Sequence, residues 1–318
     1  MNPGRTRSVY KENSKIKAVA VVGPTASGKT DLSLMIGGGH FEIVSADSVQ
    51  VYRLLDIGSG KPAPAQRESV VHHLVDIVDP DFPFTAGDYC RAAREAMLVI
   101  EERGKIPLFV GGTGLYIDAF FKGLAEIPRI DGLVKEGLSM EMEVRGLPAL
   151  YEELGDIDAP FAARIHPNDR QRVLRGLEVF RGTGIPLSEW FKGTAGADSP
   201  EVLYIGLNPD RGLLYRRIDA RVDRMMERGF LDEVKALRGR GYGPGLKSMK
   251  SIGYAELNSH LDGGPGFPET VEKIKLETRR YAKRQMTWFR KNREVRWFEE
   301  FDLAKIKSLI YSWLEIKI

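Results

Sequence analysis

Ala18-Val19-Ala20-Val21-Val22-Gly23-Pro24-Thr25-Ala26-Ser27-Gly28-Lys29-Thr30 decides the fold of this chain. Five small or β-branched apolar residues in a row read as a strand buried on both faces, the kind found in parallel sheets. The segment after it has the spacing glycine, four residues, Gly-Lys-Thr, from Gly23 to Thr30. In this P-loop pattern the glycines let successive backbone N–H groups turn into one concavity, and the next helix adds its positive N-terminus. Lys29 supplies a movable charge, and Thr30 Oγ is placed to ligate a Mg²⁺ ion that bridges phosphate oxygens. Between a buried strand and a helix, the pattern implies a diphosphate or triphosphate ligand.

Outward from this segment, a helix is expected from Lys29 to Ile36, stopped early by Gly37-Gly38-Gly39. A second strand, Glu42 to Ser45, runs into Ala46-Asp47-Ser48. A helix over roughly Ala86 to Arg103 ends at Gly104. The strand Ile106 to Val110 then closes in Gly111-Gly112-Thr113-Gly114, with a helix from Leu115. Alternating strands and helices predict an α/β fold: a P-loop NTPase-like parallel sheet core flanked by helices. From about 125 to 200 the spacing is helical with short Pro/Gly interruptions and no convincing strand, which predicts an all-helical insertion domain. The core would then comprise 1–124 and 201–318. Its strand resumes at Val202 to Leu207, and the remainder reads as largely helical and, in part, basic.

The bulk composition sets outer bounds. The 318 residues allow one large domain or two ordinary ones, and 42% hydrophobic with 29% charged residues is a globular balance. Met1 to Lys17 is polar and basic, so no secretory signal is expected, and no stretch approaches the ~18 apolar residues of a membrane span. A lone cysteine, Cys90, excludes an internal disulfide and a multi-cysteine zinc site. A cytoplasmic enzyme is the expectation. Net charge is only +3, yet ten Lys or Arg against two Glu between Lys273 and Arg296 make that segment +8 and leave −5 elsewhere. Such a run suits a solvated helix face. With Tyr281, Trp288, Phe289 and Trp297 among the charges it also suits an RNA-binding surface, although Trp288 and Phe289 read first as core.

Which phosphate ligand is meant is left open by the loop. An ATPase normally carries a second apolar strand ending in an acid, whereas Ile106–Val110 ends in Gly-Gly-Thr. Asp47 lies at the carboxyl edge of the sheet, where open α/β folds bind ligands. A carboxylate there is suited to holding Mg²⁺, to accepting a proton, or to capping the next helix. The Gly111–Gly114 turn occupies the same edge. Arg217, Arg221 and Arg224 alternate with Asp219, Asp223 and Glu227, which by spacing alone is a salt-bridged surface helix. His72-His73 has no third ligand in sight, and no metal is expected there.

At these residues a family resemblance emerges. Gly23–Thr30, Ser45-Ala46-Asp47-Ser48-Val49-Gln50-Val51-Tyr52-Arg53, Asp56-Ile57-Gly58-Ser59-Gly60-Lys61-Pro62 and Gly111-Gly112-Thr113-Gly114-Leu115-Tyr116 closely resemble bacterial tRNA dimethylallyltransferases (tRNA isopentenyltransferases). The likeness runs on through His166-Pro167-Asn168-Asp169-Arg170-Gln171-Arg172, Ser251-Ile252-Gly253-Tyr254 and Thr278-Arg279-Arg280-Tyr281-Ala282-Lys283-Arg284-Gln285. It covers roughly residues 17 to 298. Gly60 stands where that family commonly has alanine, which reads as a minor change.

The resemblance implies transfer of a dimethylallyl group from its diphosphate to N6 of adenine 37 in the tRNA anticodon loop. Gly23, Thr25, Ala26, Ser27, Gly28, Lys29 and Thr30 would hold the diphosphate, with Mg²⁺ on Thr30. Asp47 would be the general base, Thr113 would lie beside the reacting centre, and Arg221 would bind diphosphate. Asp47, Ser48, Val49, Gln50, Gln171, Arg172, Arg175, Lys250, Gly253 and Tyr254 would touch the tRNA. Partners would be the anticodon stem-loop and dimethylallyl diphosphate, with no membrane, and the chain would be a monomer. Two other readings share part of the motif set: a P-loop kinase of a small metabolite, and a prenyltransferase acting on free adenine nucleotide.

Overall fold

In this computed structural model the described residues are 16–37, 39–192, 200–299 and 301–316. The N-terminal stretch read above lies almost wholly outside them, as does Gly38. The chain divides into two compact units, Met1–Phe121 with Ser199–Ile318, and Lys122–Asp198.

The first unit is built on six parallel strands: β1 (Lys17–Val22), β2 (Phe41–Ser45), β3 (His72–His73), β4 (Ile106–Gly111), β5 (Glu201–Leu207) and β6 (Arg296–Phe298), in the spatial order β3-β2-β4-β1-β5-β6. β1 is central, with Val22 opposite Gly111 of β4 on one side and Gly206 of β5 on the other. Its side chains alternate between two buried layers. Ala18, Ala20 and Val22 face one core, and Val19 and Val21 face another. Burial on both sides is why the run is apolar without interruption, each Val contributing about 1.5–3 kcal/mol of burial.

The chain's helices are α1 (Lys29–Ile36), α2 (Pro64–Ser69), α3 (Ala86–Glu102), α4 (Gly114–Lys122), α5 (Gly132–Ile157), α6 (Ala159–Ala162), α7 (Arg170–Thr183), α8 (Leu187–Trp190), α9 (Arg211–Glu227), α10 (Phe230–Gly239), α11 (Tyr254–Leu261), α12 (Phe267–Phe289) and α13 (Leu303–Leu314). Leu32 and Ile36 of α1 join Ile306 and Ile310 of α13 in one layer, whereas Tyr89 and Ile100 of α3, Phe120 of α4 and Phe230 of α10 pack into the other. α3 opens on a capping box: Thr85 Oγ1 accepts from the Asp88 N–H, and the Asp88 carboxylate accepts from the Thr85 N–H.

The second unit is helical throughout its described residues. α5 is kinked at Gly146, whose φ is 76°, with Pro148 just beyond. Leu138, Leu150 and Leu154 of α5 pack against Val173 and Leu177 of α7 and Phe161 of α6.

Two short strands were not read from the sequence. β6 adds to the outer edge of β5 within the segment read as helical and basic, and β3 pairs with β2. Both are only two or three residues long, too short for any periodicity to mark. β6 exists because Gly206 leaves room above it for Val295 and Trp297.

Close approach is most severe where β4 ends. A Cβ on Gly111 would run into the Ala46 carbonyl, backbone that has nowhere to move. Gly111→Ala should therefore cost about 1–3 kcal/mol, the range for overpacking. A thermal melt should show a midpoint several degrees lower; an unchanged midpoint would mean that the two strand ends are not held together as described.

Candidate functional site

The carboxyl ends of β1, β2 and β4 open into a cleft of about 1120 Å³. The loop after β1 is its floor. Gly23 has φ 141°, and a Cβ on it would meet the Leu207 carbonyl of β5, so only glycine permits the turn. Ala26 and Gly28 are both left-handed, with φ 61° and 97°. This alternation of hand folds the backbone into a concavity at the start of α1. Ser27 Oγ is buried within the loop with no hydrogen-bond partner among the described residues. An orphaned hydroxyl there is a donor in want of an anionic oxygen.

Lys29 leads into the same cleft. Its Nζ donates to the Pro24 carbonyl at 2.6 Å, so the loop's own backbone holds the ammonium. Burial pulls its pKa down to about 7. The nearby Arg221 adds to that effect, and Asp47 opposes it. Thr25, expected to bind phosphate, lines the cleft, but its N–H is already given to Gln285 Oε1 at 2.8 Å.

Asp47 does one of the things its position allowed. Oδ1 accepts from the N–H groups of Val49 (2.9 Å) and Gln50 (3.2 Å), locking the turn after β2. Oδ2 makes no hydrogen bond among the described residues, and the residue lines the cleft. Thr113 stands behind it. Its N–H donates to the Ala46 carbonyl, and Oγ1 accepts from the Ser48 N–H at 3.1 Å. Thr113 is not among the lining residues, and its hydrogen bonds fasten the Asp47–Ser48 turn.

Arg221, half-buried, donates from Nη2 to the Ser59 carbonyl at 3.4 Å. Gly60 has φ 60°, a conformation that favours glycine, and it packs directly against the end of the Arg221 side chain. Glu233 holds the neighbouring loop, accepting from the N–H groups of Asp56, Ile57 and Gly58 and from the Tyr254 hydroxyl.

Ser48, Val49, Gln50 and Lys250 line the cleft, as a nucleic-acid contact there requires. Gly253 and Tyr254 do not. Tyr254 is wholly buried, and its phenol, pushed well up by burial and then by Glu233, is committed to that carboxylate. The Tyr254 side chain thus has a structural partner within the protein. Gln171, Arg172 and Arg175 are exposed on α7 of the second unit, with Arg172 beside Asp169 and Arg175 beside Glu178.

Two residues escaped the reading of the sequence as site components. Gln285 bridges the phosphate loop and the β4 turn, accepting from Thr25 N–H and donating to the Gly112 carbonyl at 2.9 Å. Tyr281, one turn earlier, lines the cleft close to Thr113 and Gln285. Burial, aided by the Asp47 charge, pushes its phenol up to about 12. The available signal was spacing. Ile274, Thr278, Tyr281 and Gln285 form a stripe at i, i+4, i+7 and i+11, one face of α12 turned away from its charges.

The IPP transferase family profile matches residues 50–292, and an isopentenyl transferase profile matches 16–76. The chain belongs to the IPP transferase family. Similar proteins include the tRNA dimethylallyltransferase of Syntrophobacter fumaroxidans, 49% identical over 94% of this chain and 86% of that one. That of Geobacter sulfurreducens is 48% identical over 90% and 93%. Among solved structures, the tRNA isopentenylpyrophosphate transferase of Bacillus halodurans superposes with a TM-score of 0.69 at 40% identity, covering 95% of this chain and 97% of that one. A eukaryotic dimethylallyltransferase acting on tRNA superposes at 0.78 with 26% identity, covering 95% and 81%. The P-loop NTPase-like core expected from the sequence is thus the fold of this IPP transferase. No helix among the described residues is long and apolar enough to cross a membrane.

The depressed Lys29 pKa gives a signed prediction. Free Lys29 is mostly neutral at pH 8 and mostly charged at pH 6, since its pKa is near 7. Bound diphosphate favours the charged form. Binding of inorganic diphosphate should therefore take up a proton at pH 8 and little at pH 6, which calorimetry in buffers of different ionisation enthalpy reads directly. Equal uptake by Lys29→Met would show that the proton goes elsewhere.

Proposed function

We propose that this chain transfers the dimethylallyl group of dimethylallyl diphosphate to N6 of adenine 37 in the tRNA anticodon loop, releasing diphosphate. The observation that carries the reading is one cleft holding both halves of the chemistry: a phosphate loop with Lys29 and Arg221, and the Asp47 carboxylate with Oδ2 free. Its charged lining among the described residues is eight Lys or Arg and two Asp, a setting made for a polyanion.

An exocyclic adenine amine is a weak nucleophile because its lone pair is delocalised into the ring. The reaction needs an electrophile that ionises readily and a base for the proton. The allylic C–O bond breaks as the C–N bond forms, and the electron pair leaves on diphosphate. Lys29, Arg221, the Ser27 hydroxyl and the loop amides stabilise that charge. Asp47 Oδ2 takes the N6 proton. The base must leave its stack to reach such a cleft.

The oxygen donors present fit Mg²⁺. Among the described residues there is no cluster of three His, Cys, Asp or Glu, so the ion would sit on Thr30 Oγ, diphosphate oxygens and water. It would supply further charge neutralisation on the leaving group. Gln171, Arg172 and Arg175 of the second unit are the expected outer RNA contacts, and a cytoplasmic monomer is the expected state.

The test is to incubate the protein with Mg²⁺, an unmodified anticodon stem-loop and radiolabelled dimethylallyl diphosphate. Label should reach the RNA and be lost when the target adenine is replaced. ATP turnover with no transfer would make the loop an ordinary nucleotide site and sink the proposal. Asp47→Asn keeps an acceptor for the Val49 and Gln50 amides but removes the base, so turnover should fall about 10²–10⁴-fold with RNA affinity near wild type. Turnover surviving in this variant would remove Asp47 as the base.

A further inference from the structure

α9 and its C-cap residue present Arg217, Arg221, Arg224 and Arg228 at successive intervals of four, three and four residues, and all four line the cleft. By spacing alone the acids between them should pair with them. They do not. Asp219 Oδ2 is bound by Arg279 at 3.2 Å and Asp223 Oδ1 by Lys275 at 2.8 Å, both from α12. None of the four arginines has a carboxylate within 4 Å among the described residues. Like charges three and four residues apart repel by a few tenths of a kcal/mol each. A self-repelling row facing a cleft, with two of the acids between its members drawn off to a neighbouring helix, is arranged for an anion that is not part of the protein.

The diphosphate accounts for Arg221, the half-buried member next to Lys29. It does not account for the rest. At 1.5 Å per residue, Arg217 lies about 6 Å along the helix on one side of Arg221, and Arg228 about 10 Å on the other. Both are exposed, as is Arg224, and Lys250 and Arg284 line the same cleft. The row therefore extends beyond a diphosphate held at the loop on both sides, and its planar guanidinium forks match phosphate oxygens. We propose that Arg217, Arg224 and Arg228 form a track for the backbone phosphates of the RNA strand flanking the base in the cleft. The inference rests on the proposed function in one respect, that RNA is what enters the cleft.

Fluorescence anisotropy of a labelled anticodon stem-loop against salt tests it, with wild type, an Arg224→Gln/Arg228→Gln variant and the matching Arg→Lys variant. Inorganic diphosphate affinity is measured on each by calorimetry. The Gln variant should bind RNA about tenfold more weakly or worse, since each charge-assisted hydrogen bond is worth about that. The slope of log K on log salt should shrink by about 0.7 for each lost contact to a single strand. Diphosphate affinity should hold, which also shows that the variant is folded, and the Lys variant should recover most of the slope. An unchanged RNA slope, with wild type still prenylating RNA, would overturn the track and leave the proposed reaction standing. Weakened diphosphate binding with an unchanged RNA slope would assign the row to the small substrate and overturn the track equally. If wild type transferred no label to RNA, the proposed reaction would fall, while a reduced slope in the Gln variant would still establish the track.

Discussion

The buried amide of Gln285 is the tie on which the cleft depends. One end accepts from the phosphate loop at Thr25, and the other donates to the β4 turn at Gly112. A helix near the C-terminus thereby holds two loops that belong to the N-terminal half of the chain. The approach is so close that a side chain on Gly112 would strike the Gln285 amide. Leaving both buried backbone groups unpaired would cost about 1–3 kcal/mol apiece. Such a group orders the floor and the back wall of the cleft against each other, and catalysis by positioned charges needs that order in place beforehand.

Several groups at the site carry a structural and a chemical role at once, divided between different atoms. Asp47 gives one oxygen to its own turn and keeps the other, so the turn that fixes the carboxylate is made by the carboxylate itself. Lys29 rests on the Pro24 carbonyl, a neutral acceptor that a diphosphate easily outcompetes. Arg221 lies against the Ser59 carbonyl and over Gly60. In each case the resting partner is backbone, not a carboxylate, so the positive field of the cleft is not cancelled before a ligand arrives.

The treatment of charge on α9 and α12 follows the same logic at larger scale. Lys275 and Arg279 of the basic segment are spent on Asp223 and Asp219, which leaves the α9 arginines unpaired. Counting charges along either helix alone gives a misleading result. The net balance of the segment from Lys273 to Arg296 says nothing about which cations remain available, because the acids that neutralise two of them belong to another helix.

What the sequence determined by itself is everything set by local chemistry and short spacing. The β1 run, the loop from Gly23 to Thr30, the strand ends at Asp47 and Gly111, and the helical stretch after residue 125 all announce themselves because their reasons lie within a few neighbouring residues. Asp47 and Lys29 could be named in advance for the same reason, whereas Arg221, which by spacing alone belongs to a salt-bridged surface helix, is marked out by the family likeness that also supplies the reaction. What only the tertiary structure decided depends on contacts between distant segments. Gln285 and Tyr281 become site residues because α12 turns one face toward loops some 170 to 260 residues earlier. Thr113 proves to be a fastener and Tyr254 a buried partner of Glu233, which no periodicity could reveal. β3 and β6 are made by their neighbours alone, since two or three residues carry no pattern of their own and pair only because an open edge lies beside them.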